Sequence, residues 1–390
     1  MSASHLMDTY ARMPVAFERG EGAWLFDESG RRYLDAISGI AVCSLGHADP
    51  VLAEALCDQA RTLIHTANLG HVRLQERLAE RLCDLAAMER AFITNTGAEA
   101  IECAFKIARR RGHARGIDQP AVLVVEGAFH GRTLAAISAS APGKLQHGFT
   151  PIVDGFRRVP FDDAEAVERA LADDARIVAV LLEPIQGEGG VVLPSDGYLT
   201  ALRRACDRHD ALLMFDEIQA GLCRTGRWFA HQHEPDSRPD VITVAKALGN
   251  GIPVAACVAR GEAGGLLTPG SHGTTFGGSP FACRAALTVL QRMETLGLCE
   301  RAAAQGDRLQ ARLRRRIGAH PRVAAIRGRG LMIGVELVDA AVDVRDHALA
   351  EGVVFNVTRE RVIRLLPPLI IDDAQSDRIA DVVADGIERA

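Results

Sequence analysis

The sequence predicts an α/β protein, with a mostly parallel central sheet in a large domain and a smaller α+β domain assembled from both chain ends. Six short apolar runs (91–94, 121–125, 177–182, 211–215, 241–244 and 254–258) alternate with helical spacers. That is the pattern of strands buried on both faces. Short strand-like pieces recur only at the two ends, and 390 residues exceed what one core usually organises. The expected division is 1–49 and 291–390 for the small domain and 50–290 for the large one.

Within 1–49, the pieces 15–17, 23–26 and 32–35 are separated by Gly20, Gly22 and Gly30, a meander too thin to fold alone. Amphipathic helices begin at Pro50, and the alternating runs follow. After about Thr295 come charged helices and a second strand group at 331–337, 353–357 and 362–366, expected to join the meander. No run has membrane length, and the N-terminus has neither a basic start nor an apolar segment, so a cytoplasmic protein without a membrane partner is expected. A net charge of −5 with interspersed signs gives no nucleic-acid footprint. Arg109, Arg110 and Arg111, like Arg314, Arg315 and Arg316, read as solvated helix faces. The nine cysteines include no Cys-x-x-Cys pair, which signals neither a disulfide framework nor zinc. His231 and His233 read as surface residues without metal companions.

Lys246 follows the run 241–244 and precedes a glycine turn. A lysine there is either a snorkelling surface residue or a desolvated amine that attacks carbonyls. Thr96-Gly97-Ala98 opens a helix after the run 91–94, where free amides and the dipole suit a phosphate, unless Thr96 is only a cap. Asp216 ends the run 211–215, at the sheet edge where ligands gather. A nucleotide hydrolase would need a Gly-x-x-x-x-Gly-Lys-Ser/Thr loop, which is absent, and Gly328-Arg-Gly330 is expected to precede a strand, unlike a dinucleotide fingerprint. A phosphate seat, a strand-end acid and a lysine able to form a Schiff base together describe a pyridoxal phosphate site.

The motifs Gly46-His-Ala-Asp-Pro, Asn95-Thr-Gly-Ala-Glu-Ala, Phe129-His-Gly-Arg-Thr, Glu183-Pro-Ile-Gln-Gly-Glu-Gly-Gly, Phe215-Asp-Glu-Ile-Gln, His272-Gly-Thr-Thr-Phe-Gly-Gly and Arg364-Leu-Leu-Pro-Pro-Leu occur in order around the lysine. With them the chain resembles the class III aminotransferases over essentially its whole length. The resemblance implies the fold type I architecture of pyridoxal-phosphate-dependent transferases and a homodimer with shared active sites. It implies that Lys246 anchors the cofactor and moves a proton, Asp216 pairs with the ring nitrogen, Gln219 bonds the ring hydroxyl and Phe129 stacks on the ring. Gly97 and Ala98 would hold the phosphate by backbone amides, joined by Thr275 of the neighbouring subunit. The family usually has Ser-Gly-Thr where this chain has Thr96-Gly97-Ala98.

Arg132 and Arg364 match the carboxylate-binding positions, Glu188 the acid that covers the second arginine when the amine is bound, and Thr274 lies near the substrate. The expected reaction moves the terminal amino group of N-acetylornithine to 2-oxoglutarate in arginine biosynthesis. Succinylornithine, ornithine, 4-aminobutyrate or an N-succinyl diaminopimelate precursor are alternative donors. An aminomutase or a non-catalytic pyridoxal phosphate binder are alternatives of other classes. Ornithine aminotransferases carry a tyrosine where alignment on Gly46-His47 puts Ile40, and an isoleucine cannot bond a free α-ammonium.

Overall fold

A computed structural model describes residues 5–143 and 145–389. Its strands are β1 (Phe17–Glu21), β2 (Trp24–Asp27), β3 (Arg32–Asp35), β4 (Arg90–Thr94), β5 (Ala121–Val125), β6 (Phe156–Val159), β7 (Ile177–Leu182), β8 (Leu212–Asp216), β9 (Val241–Val244) and β10 (Ala255–Ala259). Towards the C-terminus follow β11 (Val323–Arg329), β12 (Met332–Leu337), β13 (Val353–Val354), β14 (Asn356–Thr358) and β15 (Val362–Leu365).

Seven strands form the central sheet in the order β4-β10-β9-β8-β7-β5-β6. Only β10 runs against the others. It follows β9 through a short connection, which can join only antiparallel neighbours, whereas the parallel strands are linked by crossover helices. Every residue of β5, β7, β8, β9 and β10 is buried. Side chains of β5 alternate between two cores: Leu123 and Val125 pack in the one that holds Leu78, Leu82 and Ala286, and Val122 and Val124 in the one that holds Ile101, Phe105 and Ala108. Helix Gly97–Ala114 therefore covers one face, and helices Arg73–Ala86 and Pro280–Thr295 the other.

The meander β1-β2-β3 is present, and β13 adds to it as a parallel neighbour of β3. A second small sheet has the order β11-β12-β15-β14. Ser38 Oγ donates to the Leu366 carbonyl at 2.6 Å and so ties the two chain ends together.

Several expectations are corrected. Gly328-Arg-Gly330 does precede a strand, β12, as expected, but it also forms the end and turn of a strand that was not anticipated, β11, because the run Arg327-Gly-Arg is polar. His231 is buried, its backbone and Nδ1 bound to Glu217, and His233 is half-buried against the Thr225 carbonyl. Arg111 is buried between Asp210 and Glu262, and Arg316 pairs with Asp385 and Glu388. These partners are remote in sequence, so the burial emerges only on folding. Among the described residues no helix is long and apolar enough to cross a membrane.

Candidate active site

Lys246 leaves β9 with φ +44°, a left-handed backbone that costs a lysine about 1 kcal/mol. The bend lets its side chain line two adjoining cavities, of about 370 and 950 Å³. Burial pulls its ammonium below the ordinary lysine range; Arg364 adds to this, while the charges of Glu188, Asp216 and Glu183 oppose it. An amine so placed gives up its proton readily.

The smaller cavity gathers Gly97, Ala98, Phe129, Asp216, Gln219 and Lys246. Thr96 is the helix cap, accepting from Glu99 N–H while Glu99 bonds back to it. Gly97 and Ala98 follow in the first turn, where amides have no intrahelical acceptor, and both residues face the cavity. Asp216 sits at the carboxyl end of β8. Its Oδ1 accepts from Ile218 N–H at 3.1 Å and Thr243 Oγ1 at 3.3 Å, and its Oδ2 meets His130 Nδ1 at 2.8 Å. Glu217, the next residue, points to the opposite face and serves His231. Gln219 lies so close to Gly187 that a Cβ there would fall 2.2 Å from its Oε1. A side chain there would push the Gln219 amide out of its place.

Phe129 and Lys246 are common to both cavities, and Ile40, Arg132, Glu188 and Arg359 line the larger one. Arg132 stands 5.5 Å from the Phe129 ring centre. Arg364 is fully buried, held by Glu188 at 2.5 Å, Asn356 at 3.1 Å and Gln219 at 3.3 Å. Ile40 has φ +66°, within a left-handed turn that spans Ser38 to Ala41. Such a backbone is rare for a β-branched residue.

Thr274 bonds Asn95 at 3.0 Å near the helix cap and lines neither cavity, so within this chain it is apart from Arg132. Thr275 is exposed and lines neither. Three residues, His130 and Glu183 buried and Asn250 half-buried, were missed by the sequence reading. His130 orients Asp216; Glu183 accepts from the amides of Phe129 and Gly187; Asn250 joins the lysine loop to Leu45 and Gly46. Burial raises the Glu183 carboxyl to about 7, although the neighbouring His130 opposes the rise. The position of Glu183 at the end of an apolar run could have revealed it; His130 and Asn250 carried no such signal, since their partners are remote in sequence.

The donor set fits pyridoxal phosphate: open first-turn amides for a phosphate, an aromatic wall, a fixed carboxylate and a deprotonatable lysine.

Comparison with known proteins agrees. The family model described as aminotransferase class-III matches residues 6–387. A protein of Nitrosomonas europaea named acetylornithine aminotransferase is 51% identical over 381 residues, 98% of this chain and 97% of the relative. Among solved structures, a Toxoplasma gondii ornithine aminotransferase with partial occupancy of PLP at its active site superposes with a TM-score of 0.95 at 35% identity, covering 98% of this chain and 92% of that one. The N-acetylornithine aminotransferase of Stenotrophomonas maltophilia K279a gives 0.84 at 35% identity, covering 97% and 96%. With a full-length family match and the lysine, aspartate and helix cap of such a site gathered in one cavity, the chain belongs to the class III aminotransferases.

Proposed function

We propose that this protein moves the terminal amino group of N-acetylornithine to 2-oxoglutarate, giving N-acetylglutamate 5-semialdehyde and glutamate, a step in arginine biosynthesis. Pyridoxal phosphate, when bound, supplies the electron sink for charge that develops on the carbon next to the amine. The carrying observation is the unequal state of two arginines around Lys246: Arg364 is covered by Glu188, whereas Arg132 has no acid partner among the described residues. A donor with one carboxylate binds on the Arg132 side and leaves Arg364 covered. A dicarboxylate acceptor needs both, and its carboxylate displaces Glu188 from Arg364.

Lys246, desolvated and therefore readily neutral, would anchor the cofactor and take the proton from the substrate carbon next to the amine. Asp216, oriented by His130, Thr243 and Ile218, holds a negative charge at the ring nitrogen. Phe129 and Gln219 fix the ring, and the amides of Gly97 and Ala98 take the phosphate. The acetyl group is expected against Ile40, which offers an acyl chain an apolar contact and a charged α-ammonium no hydrogen bond. Thr274 belongs to this reading only as a neighbour of the helix cap.

A cytoplasmic homodimer is part of the proposal. Leu69 is 98% and Phe276 64% exposed, and Phe276 packs on His65 at 5.5 Å, forming an apolar patch beside Thr275. A second copy covering this patch would bring Thr275 to the partner's phosphate seat. The division into a large domain (50–290) and a small one (1–49 with 291–390) is likewise proposed, supported by the β3–β13 pairing.

Side-by-side kcat/KM values for N-acetylornithine, N-succinylornithine, ornithine and 4-aminobutyrate, with 2-oxoglutarate saturating, test the assignment. N-acetylornithine is expected to exceed ornithine by at least about thirtyfold, the effect of leaving a buried charge unpaired. Ornithine equal to or better than its acetyl derivative overturns the donor, and turnover without 2-oxoglutarate points to an aminomutase.

A further inference from the structure

We propose that Arg359 is a second guanidinium of the donor subsite, selecting with Arg132 for amines that bear a carboxylate. This assignment rests on the aminotransferase reading of the site. Arg359 opens the hairpin loop between β14 and β15, where it has φ +52° and Glu360 has φ +64°. Left-handed backbone at successive residues is what a tight hairpin turn demands, so the pairing of β14 with β15 fixes the loop that carries Arg359. Ile40, on the wall of the same cavity, is in the same region of backbone space.

The Arg359 side chain also has a seat. A Cβ on Gly127 would lie 3.3 Å from its Nη2, and a Cβ on Gly190 would lie 3.9 Å from its Cγ. The missing side chain of Gly127 thus leaves room for the guanidinium, and Gly190 lies in ordinary contact distance of the stem along the cavity wall. Glu188 and Lys246 line that wall as well. No carboxylate or hydrogen-bond acceptor among the described residues pairs with Arg359, and none pairs with Arg132, in contrast to the three partners of Arg364. Two open planar forks on one cavity match a carboxylate better than one, and each charge-assisted contact to a desolvated anion is worth about tenfold or more in binding.

The test compares amines with and without a carboxylate in the holoenzyme. Single-turnover kcat/KM is measured for N-acetylornithine, ornithine and 1,4-diaminobutane in wild type, Arg359→Gln and Arg359→Lys, with cofactor content and Tm recorded for each. Arg359→Gln should lower the ratio of either carboxylated amine to 1,4-diaminobutane by about tenfold, through KM, and Arg359→Lys should restore part of it. Equal loss for all three amines, or an unchanged ratio, overturns the proposal. The donor reading fails separately: N-acetylornithine could prove inert while the ornithine to diaminobutane ratio still falls in Arg359→Gln.

Discussion

Asp216→Asn removes one charge while keeping the shape of the side chain. In the native protein the carboxylate receives three donors, from Ile218, Thr243 and His130, and all three orient toward negative charge. Asparagine keeps one oxygen for Ile218 and Thr243, but its amide then faces His130 Nδ1. His130 must present that nitrogen unprotonated and carry its proton on Nε2, which is buried without a partner. Both the charge and the tautomer are therefore disturbed. At about 3 Å and an effective dielectric of about 20, a carboxylate and a protonated ring nitrogen attract by about 5 kcal/mol. Only the share felt more strongly in the transition state affects the rate, and each 1.4 kcal/mol or so of it is tenfold. If about half is of that kind, kcat falls at least about a hundredfold. Stopped-flow absorbance of the half-reaction, normalised to bound cofactor, measures it. A loss under about fivefold with cofactor retained would refute the role of the charge.

Ile40→Tyr should raise kcat/KM for ornithine and shrink the preference for N-acetylornithine below about fivefold, since a hydroxyl can meet the α-ammonium and tyrosine is not β-branched at this left-handed position. Unchanged donor ratios in the same steady-state assay would remove Ile40 from the specificity argument. His47 is held at about 9, first by its bond to Asp35 at 2.8 Å and then by Cys43. A folded pKa raised above the unfolded 6.5 contributes stability fully present below about 6.5 and lost as pH rises through about 9. The shift is nominally about 3 kcal/mol, discounted to about 1–2 for an imidazole partly open to solvent. His47→Gln should consequently lower Tm more at pH 6 than at pH 9.5, and a difference independent of pH would contradict the linkage.

Much of this was legible in the sequence because burial on both faces leaves no alternation to misread: β5, β7 and β9 stand in the chain as unbroken apolar runs. The edge strand β6, Phe-Arg-Arg-Val, escaped detection because an edge tolerates charge that a central strand cannot. Lys246, Asp216 and Arg364 were readable because each lies in a motif at the end or middle of a strand. His130 was not, since its role depends on a carboxylate 86 residues away. Arg359 was hidden for a related reason: an arginine in a polar loop looks ordinary until Gly127 and Gly190 are seen beside it. Long-range pairing also overturned the expected exposure of His231 and Arg111.

The junction between the two chain ends sets a schedule for synthesis. Ser38 and Leu366 are joined although 328 residues separate them, and β3 finds its parallel neighbour only in β13. At about 5–20 residues per second, the ribosome delivers those partners roughly 15 s to a minute after the first strands emerge. During that interval Tyr33, Leu34 and Ile37, all buried in the finished molecule, have no completed surface to rest against. The apolar side chains of the nascent N-terminus stay uncovered throughout, and slower translation lengthens the exposure.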